Sequence, residues 1–187
     1  MKETKNKNIS EIITFLNEGK VLVLPTDTVY GFVCDASNEK AVERIFEIKK
    51  RDKAQTLPVF VKDIEMAKSY AKIDSRQEKI IKKIWPGAVT YVLDGKMGLS
   101  PLVYKNSTIA LRAPNYSLVQ EVLEKLGKPL AQTSANISGK PATTKISDIL
   151  EQFSDSDVII INAGNLPENK LSTIIDLTDT NSKVIRK

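Results

Sequence analysis

Apolar and polar residues follow one another in short blocks along this chain, and each block predicts an element. Residues 21–24, Val-Leu-Val-Leu, have the length and β-branched content of a buried strand. Pro25 ends that ladder because it has no N–H to give. Thr26, Asp27, Thr28 and Tyr30 then bring hydroxyls and a carboxylate to the strand's end, and Gly31 closes the turn. Ahead of this stretch, Ile12, Ile13 and Leu16 share one face of a helix that Ser10 caps and Gly19 stops. Behind it, Asn38 caps a second helix, with Val42, Ile45, Phe46 and Lys49 at helical spacing. Its last turn, Lys49-Lys50-Arg51, suits a helix C-terminus on dipole grounds alone.

The pattern continues in the same idiom. Strands are predicted at 57–61, 88–93, 108–112, 129–131 and 158–161, and a closing hairpin at 172–177 and 183–186. Helices are predicted from Asp63 to about Tyr70, from a Ser75/Glu78 capping box to Trp85 (where Pro86-Gly87 breaks it), over 117–126 with Gly127 as its stop, and from Thr144 or Ser147 to Phe153. Residues 98–107, 138–144 and 162–170 read as loops. Strands interleaved with helices predict an α/β fold, and the hairpin-like segments favour a twisted, open mixed sheet flanked by helices. Residues 1–8 read as a polar tail and 9–187 as one domain, with no internal repeat or composition break.

Composition narrows the chemistry. The 187 residues are 41% hydrophobic and 27% charged, the balance of a globular protein, and no apolar run nears the roughly 20 residues of a membrane span. No apolar segment follows the charged N-terminus, so a cytoplasmic location is expected. A single Cys34, set in an apolar step, reads as a packing residue. The absence of histidine removes the Ser-His-Asp triad, the Cys-His pair and histidine-ligated zinc at one stroke. The net charge of +5 is compatible with a phosphate-bearing partner.

One motif recurs: a short apolar strand ends, and hydroxyl, amide or basic residues follow at once. It occurs at Thr26-Asp27-Thr28, at Arg112, at Ser134 to Asn136 and at Ser172-Thr173. In open α/β sheets ligands lie beyond strand ends, so these ends are candidates for one pocket. Arginine forks, hydroxyls and amides suit an anionic ligand. Neither GxxxxGK[ST] nor GxGxxG is present, so a nucleotide site must be of another type.

PTDTVYG at 25–31, IFEIKKR at 45–51, WPGAVT at 85–90, TIALRAP at 108–114, TSANISGKP at 133–141 and STIIDLT at 172–178 occur here in one order and at one spacing. In this the chain resembles the YrdC-like threonylcarbamoyl-AMP synthases, in their short single-domain form, over nearly its whole length. The resemblance implies a sheet around a large basic cavity, and an enzyme that takes L-threonine, bicarbonate or CO2 and ATP. The implied products are pyrophosphate and threonylcarbamoyl-adenylate, consumed by a transferase complex that modifies the adenosine beside certain tRNA anticodons. Thr28, Arg112, Ser134 and Ser172 are implied to hold L-threonine. Lys49 and Arg51 are implied catalytic residues at the ATP phosphates, and Thr108, Asn136, Thr144 and Arg186 are implied to touch the nucleotide, with Mg²⁺ accompanying it.

Gln55, Asp52 and Thr56 depart from the family pattern, where Lys or Asn and two prolines are common, and Phe60 stands where some members are polar. Trp85 reads as a packing residue; Tyr30 either lines the threonine pocket or packs; Asp27 has no evident role. Two rival readings remain: an RNA-binding or ribosome-associated module of this fold without adenylation, with double-stranded RNA or tRNA as its partner, and an adenylating enzyme with a different acceptor. An aromatic content of 6% gives little for stacking RNA bases.

Overall fold

The computed structural model describes residues 2–4, 8–154 and 156–186. Its strands are β1 (Lys2–Thr4), β2 (Leu22–Leu24), β3 (Gly31–Asp35), β4 (Val59–Phe60), β5 (Val89–Asp94), β6 (Tyr104–Lys105), β7 (Thr108–Arg112), β8 (Leu130–Ser134), β9 (Ile159–Ile161), β10 (Thr173–Asp176) and β11 (Lys183–Arg186). They form one mixed sheet in the order β1-β9-β2-β3-β8-β4-β7-β5-β10-β11, with β6 also paired to β7. The helices are α1 (Ile9–Asn17), α2 (Glu39–Lys49), α3 (Ile64–Tyr70), α4 (Ser75–Ile81), α5 (Ser117–Leu126) and α6 (Ile146–Gln152). The predicted α/β class and mixed sheet are thus the observed ones.

Strand periodicity of two sends alternate residues to opposite faces, and each face has its own core. On one face Val23, Phe32, Cys34, Val59, Leu111 and Ala131 pack under α2, through Val42, Ile45 and Phe46, and under α3, α4 and α6. On the other, Leu22, Leu24, Val33, Phe60 and Leu130 pack under Ile12 and Leu16 of α1 and under Leu118, Val119, Val122 and Leu123 of α5. Cys34 is wholly buried, as its apolar setting predicts.

Several expectations are corrected at the level of single residues. Lys2–Thr4, inside the expected polar tail, pairs in parallel with β9, which would otherwise present an open edge. Residues 1 and 5–7 of that tail lie outside the described set. Asn8, not Ser10, caps α1, its side chain accepting from the Ser10 N–H at 3.0 Å. Asp74, not Ser75, caps α4 in a capping box with Gln77, and that helix stops at Ile81 well before Trp85. Neither Thr144 nor Ser147 caps α6; Lys145 holds the N-cap position without a side-chain bond. Most consequential is β3. PTDTVYG is the connection of an antiparallel hairpin, in which Leu24 pairs with Gly31.

Candidate active site

On the α1/α5 face, the helices cover only part of the sheet. Gln132 and Ser134 on β8, Ala110 and Arg112 on β7, Val92 on β5 and Ile174 on β10 floor an open cavity of about 300 Å³. The β2–β3 connection walls it with Thr26, Thr28 and Val29, and Arg51, Ser172 and Arg186 complete its charged and hydroxyl lining. Among the described residues, three arginines and no carboxylate line this space. The cavity therefore gathers Thr28, Arg51, Arg112, Ser134, Ser172 and Arg186 from six separate points of the sequence.

Arg112 sits at the end of β7 and is 2% exposed. Its Nε donates to the Gly87 carbonyl at 3.0 Å, one Nη to Asp27 Oδ1 at 2.6 Å and the other to Thr28 Oγ1 at 3.4 Å. Three of its five N–H groups are thereby used, which leaves two for a ligand. The Phe60 ring lies beneath the guanidinium, 5.7 Å away. Asp27 acquires its role here. Its second oxygen accepts from the Asn115 N–H at 3.0 Å, so one carboxylate ties the PTDT turn to Arg112 and to the segment after β7. Thr26 shapes the same turn, donating to the Val29 carbonyl at 2.7 Å and accepting from the Thr28 N–H at 3.1 Å.

On the opposite wall Arg186 of β11 closes on Ser172. Its Nε and one Nη donate to the Ser172 carbonyl at 3.1 and 2.8 Å, and that Nη also reaches Ser172 Oγ at 3.2 Å. The same hydroxyl is 3.0 Å from Thr90 Oγ1 of β5, a fully buried residue. Arg51, just past α2, donates to the carbonyls of Gln55 and Thr56 at 3.0 and 3.3 Å. Burial lowers the pKa of all three arginines. The Arg186 charge depresses Arg51 further, and in Arg112 it opposes the support of Asp27. A site that holds mutually repelling cations around a cavity is one that an anion stabilises.

The other expected residues stand apart from this space. Lys49 and Asn136 are buried together beneath the turn that follows β8 and do not line the cavity. Thr108 opens β7, four residues before Arg112 and so on the same face of the sheet, and its hydroxyl donates to the Lys105 carbonyl at 2.7 Å. Thr144 lies in the loop before α6, where its carbonyl accepts from the Leu166 N–H at 2.9 Å. Gln55 is exposed and Thr56 faces the cavity. Tyr30 packs: it is fully buried, donates to the Gly164 carbonyl at 2.7 Å and accepts from the Ala163 N–H at 3.0 Å. Trp85 is half-buried against Tyr91. Sequence reasoning passed over Thr90 and Gln132. For Gln132 the strand alternation with Ser134 was the usable signal.

The family model of the Sua5/YciO/YrdC domain, described as telomere recombination, matches residues 14–187. The chain belongs to this family. A threonylcarbamoyl-AMP synthase of Pyrococcus abyssi is 38% identical over 168 residues, 88% of this chain and 49% of that protein. A putative threonylcarbamoyl-AMP synthase of Methanocaldococcus jannaschii is 34% identical over 189 residues, covering 100% of this chain and 89% of that one. The threonylcarbamoyl-AMP synthase of Aliivibrio fischeri is 32% identical over 82% of this chain and 85% of its own length. Among solved structures, Pyrococcus abyssi Sua5 complexed with L-threonine superposes with a TM-score of 0.89 at 33% identity, over 99% of this chain and 56% of that one. YciO of Escherichia coli gives 0.87 at 26% identity, over 100% and 93%. The chain thus spans about half the length of the Pyrococcus proteins and most of the length of the shorter relatives.

Proposed function

We propose that this chain is an L-threonylcarbamoyladenylate synthase, a nucleotidyltransferase that joins L-threonine, bicarbonate or CO2 and ATP and releases pyrophosphate. The observation that carries this reading is the convergence of Arg51, Arg112 and Arg186 on one hydroxyl-lined cavity, in a chain 30–38% identical to proteins of that name. The product would feed a threonylcarbamoyl transferase acting on tRNA.

Arg112 offers its two spare N–H groups to the threonine carboxylate, with Thr28, Ser134 and Ser172 as hydroxyl partners around the amino acid. Arg51 and Arg186, on the far side of the cavity, hold the triphosphate. Thr108 and Thr144 are assigned to the nucleotide end of the site. The threonine amine adds to CO2 and loses a proton, giving a carbamate. A carbamate oxygen then attacks the α-phosphorus, the bond from that phosphorus to the bridging oxygen breaks, and pyrophosphate leaves with the electron pair. Both reactants are anions, so the barrier is dominated by charge. Fixed cations at the phosphates offset the repulsion and stabilise the leaving group, typically by a factor of about 10²–10³ in rate per well-placed donor. The carbamate is its own nucleophile, so the chemistry asks for no histidine.

Mg²⁺ would arrive with ATP. The cavity lining offers hydroxyls and one amide but no carboxylate, and no cluster of metal-ligating side chains occurs among the described residues. Such a metal would be held by phosphate oxygens and water and not by protein side chains.

The test is pyrophosphate release that requires L-threonine, bicarbonate and ATP together. Purified protein that shows none, while binding double-stranded RNA tightly at physiological salt, would overturn this reading in favour of an RNA-binding module.

A further inference from the structure

Lys49 ends α2 and is 1% exposed. An ammonium carries three N–H donors, and three oxygens of one turn meet this one. Its Nζ donates to the Ser134 carbonyl at 2.6 Å, to the Asn136 carbonyl at 2.7 Å and to Asn136 Oδ1 at 3.1 Å. The backbone joins the same tie, for the Lys49 carbonyl accepts from the Ser138 N–H at 2.9 Å. Asn136 is held from both ends of its amide. Its Oδ1 also accepts from Ser134 Oγ at 2.6 Å, and its Nδ2 donates to the carbonyls of Ile137 and Lys140 at 3.1 and 2.6 Å. On its other side the ammonium faces the Phe32 ring at 5.8 Å.

A lysine that grips phosphate must present an N–H to it. Here every donor is spent on the turn, and the side chain lies below the cavity floor that Ser134 helps to form. Burying a charge in this manner is costly unless it is fully hydrogen-bonded, as this one is. The arrangement makes sense if the product of the contact is the shape of the turn. Asn136 Oδ1 is the shared acceptor of Lys49 and Ser134, so the position of the lysine fixes where the serine hydroxyl stands.

We propose that Lys49 is a positioning residue, acting through Asn136 to hold Ser134 and its turn against the cavity, and that it does not touch the ATP phosphates. This rests on the cavity being the synthase site. Wild-type turnover that needs threonine, bicarbonate and ATP secures that site first, so its absence would refute the site assignment and leave the lysine geometry standing.

With turnover secured, the deciding experiment pairs a double-mutant cycle of Lys49→Met and Asn136→Ala with inhibition by pyrophosphate, which probes only the phosphate-holding cations. Arg51→Gln serves as the phosphate-contact control. Lys49→Met should raise the KM for threonine about tenfold or more, with the pyrophosphate inhibition constant within about threefold of wild type. Adding Asn136→Ala to Lys49→Met should cost less than about threefold further, because partners acting as a unit are not additive. The proposal is overturned if Lys49→Met weakens pyrophosphate as much as Arg51→Gln does, or if the two losses multiply. Should Lys49→Met not fold, Lys49→Arg decides. An arginine fork cannot meet three converging oxygens, so impaired threonine use with intact pyrophosphate inhibition supports the positioning role, and full activity overturns it.

Discussion

One nitrogen of the Arg112 guanidinium donates to Asp27 Oδ1 across 2.6 Å, and the two residues, 85 positions apart, form the one ion pair at the cavity's edge among the described residues. The carboxylate takes one edge of the fork and the Gly87 carbonyl another, so the remaining N–H pair is aimed rather than free to rotate. A fork fixed in this way binds a carboxylate at little ordering cost. Arg112→Ala should therefore weaken L-threonine by about tenfold or more while leaving ATP within about twofold, each measured by calorimetry. An equal loss of both ligands would remove Arg112 from its assigned role.

Asp27→Ala leaves the same guanidinium buried without its counter-charge. Breaking a buried pair from one side typically costs about 3–5 kcal/mol, and both side chains here are largely out of water, at 3% and 13% exposure. Urea unfolding should show a loss of that order, and saturating L-threonine should recover part of it, because its carboxylate replaces the missing anion. A loss that threonine does not touch would mean that Asp27 serves the turn alone.

Gly87 is the hidden member of this group. A Cβ built there would lie 2.6 Å from the Ile84 carbonyl oxygen, a backbone atom that cannot step aside. Gly87→Ala must then move the carbonyl that accepts from Arg112 Nε. The expected outcome is a rise in KM for threonine of about tenfold with a smaller fall in kcat, the signature of a displaced binding group. Unchanged kinetics in a folded variant would show that the Gly87 carbonyl is not what orients the arginine.

Strand ends rich in hydroxyls and arginines were legible because their chemistry sits in consecutive letters. Thr28, Arg112, Ser134 and Ser172 each follow an apolar run, and they do converge. Asp27 was not legible. Its partner is remote in the chain, and nothing near it tells an ion pair from a turn carboxylate. For Lys49 the letters were incomplete for a related reason: a lysine at a helix end beside Arg51 reads as a free cation, and only the fold shows its three donors meeting the turn after β8. The hairpin strand β3 was hidden because Gly31 reads as the close of a turn when it also begins a ladder with Leu24 and Ser134. Helix caps were off by one or two residues where neighbouring Asn, Asp and Ser compete for one position.

The buried ammonium should also leave a mark on stability against pH. Burial, with the Arg51 charge adding to it, brings Lys49 down to about 7 in the folded protein, against about 10.4 for a lysine in an unfolded chain. Between those values the unfolded state binds the extra proton, so stability rises with pH. The cost of charging Lys49 is thus fully present below about pH 7 and is relieved as pH climbs toward 10. Lys49→Met lacks the group and cannot follow. The difference in unfolding free energy, wild type minus Lys49→Met, should increase across that window with a slope approaching about 1.4 kcal/mol per pH unit at its steepest, the other lysines and tyrosines cancelling between the two proteins. Urea midpoints taken at intervals over the window measure it directly. A flat difference would mean that the three oxygens around the ammonium hold its proton as firmly as water does.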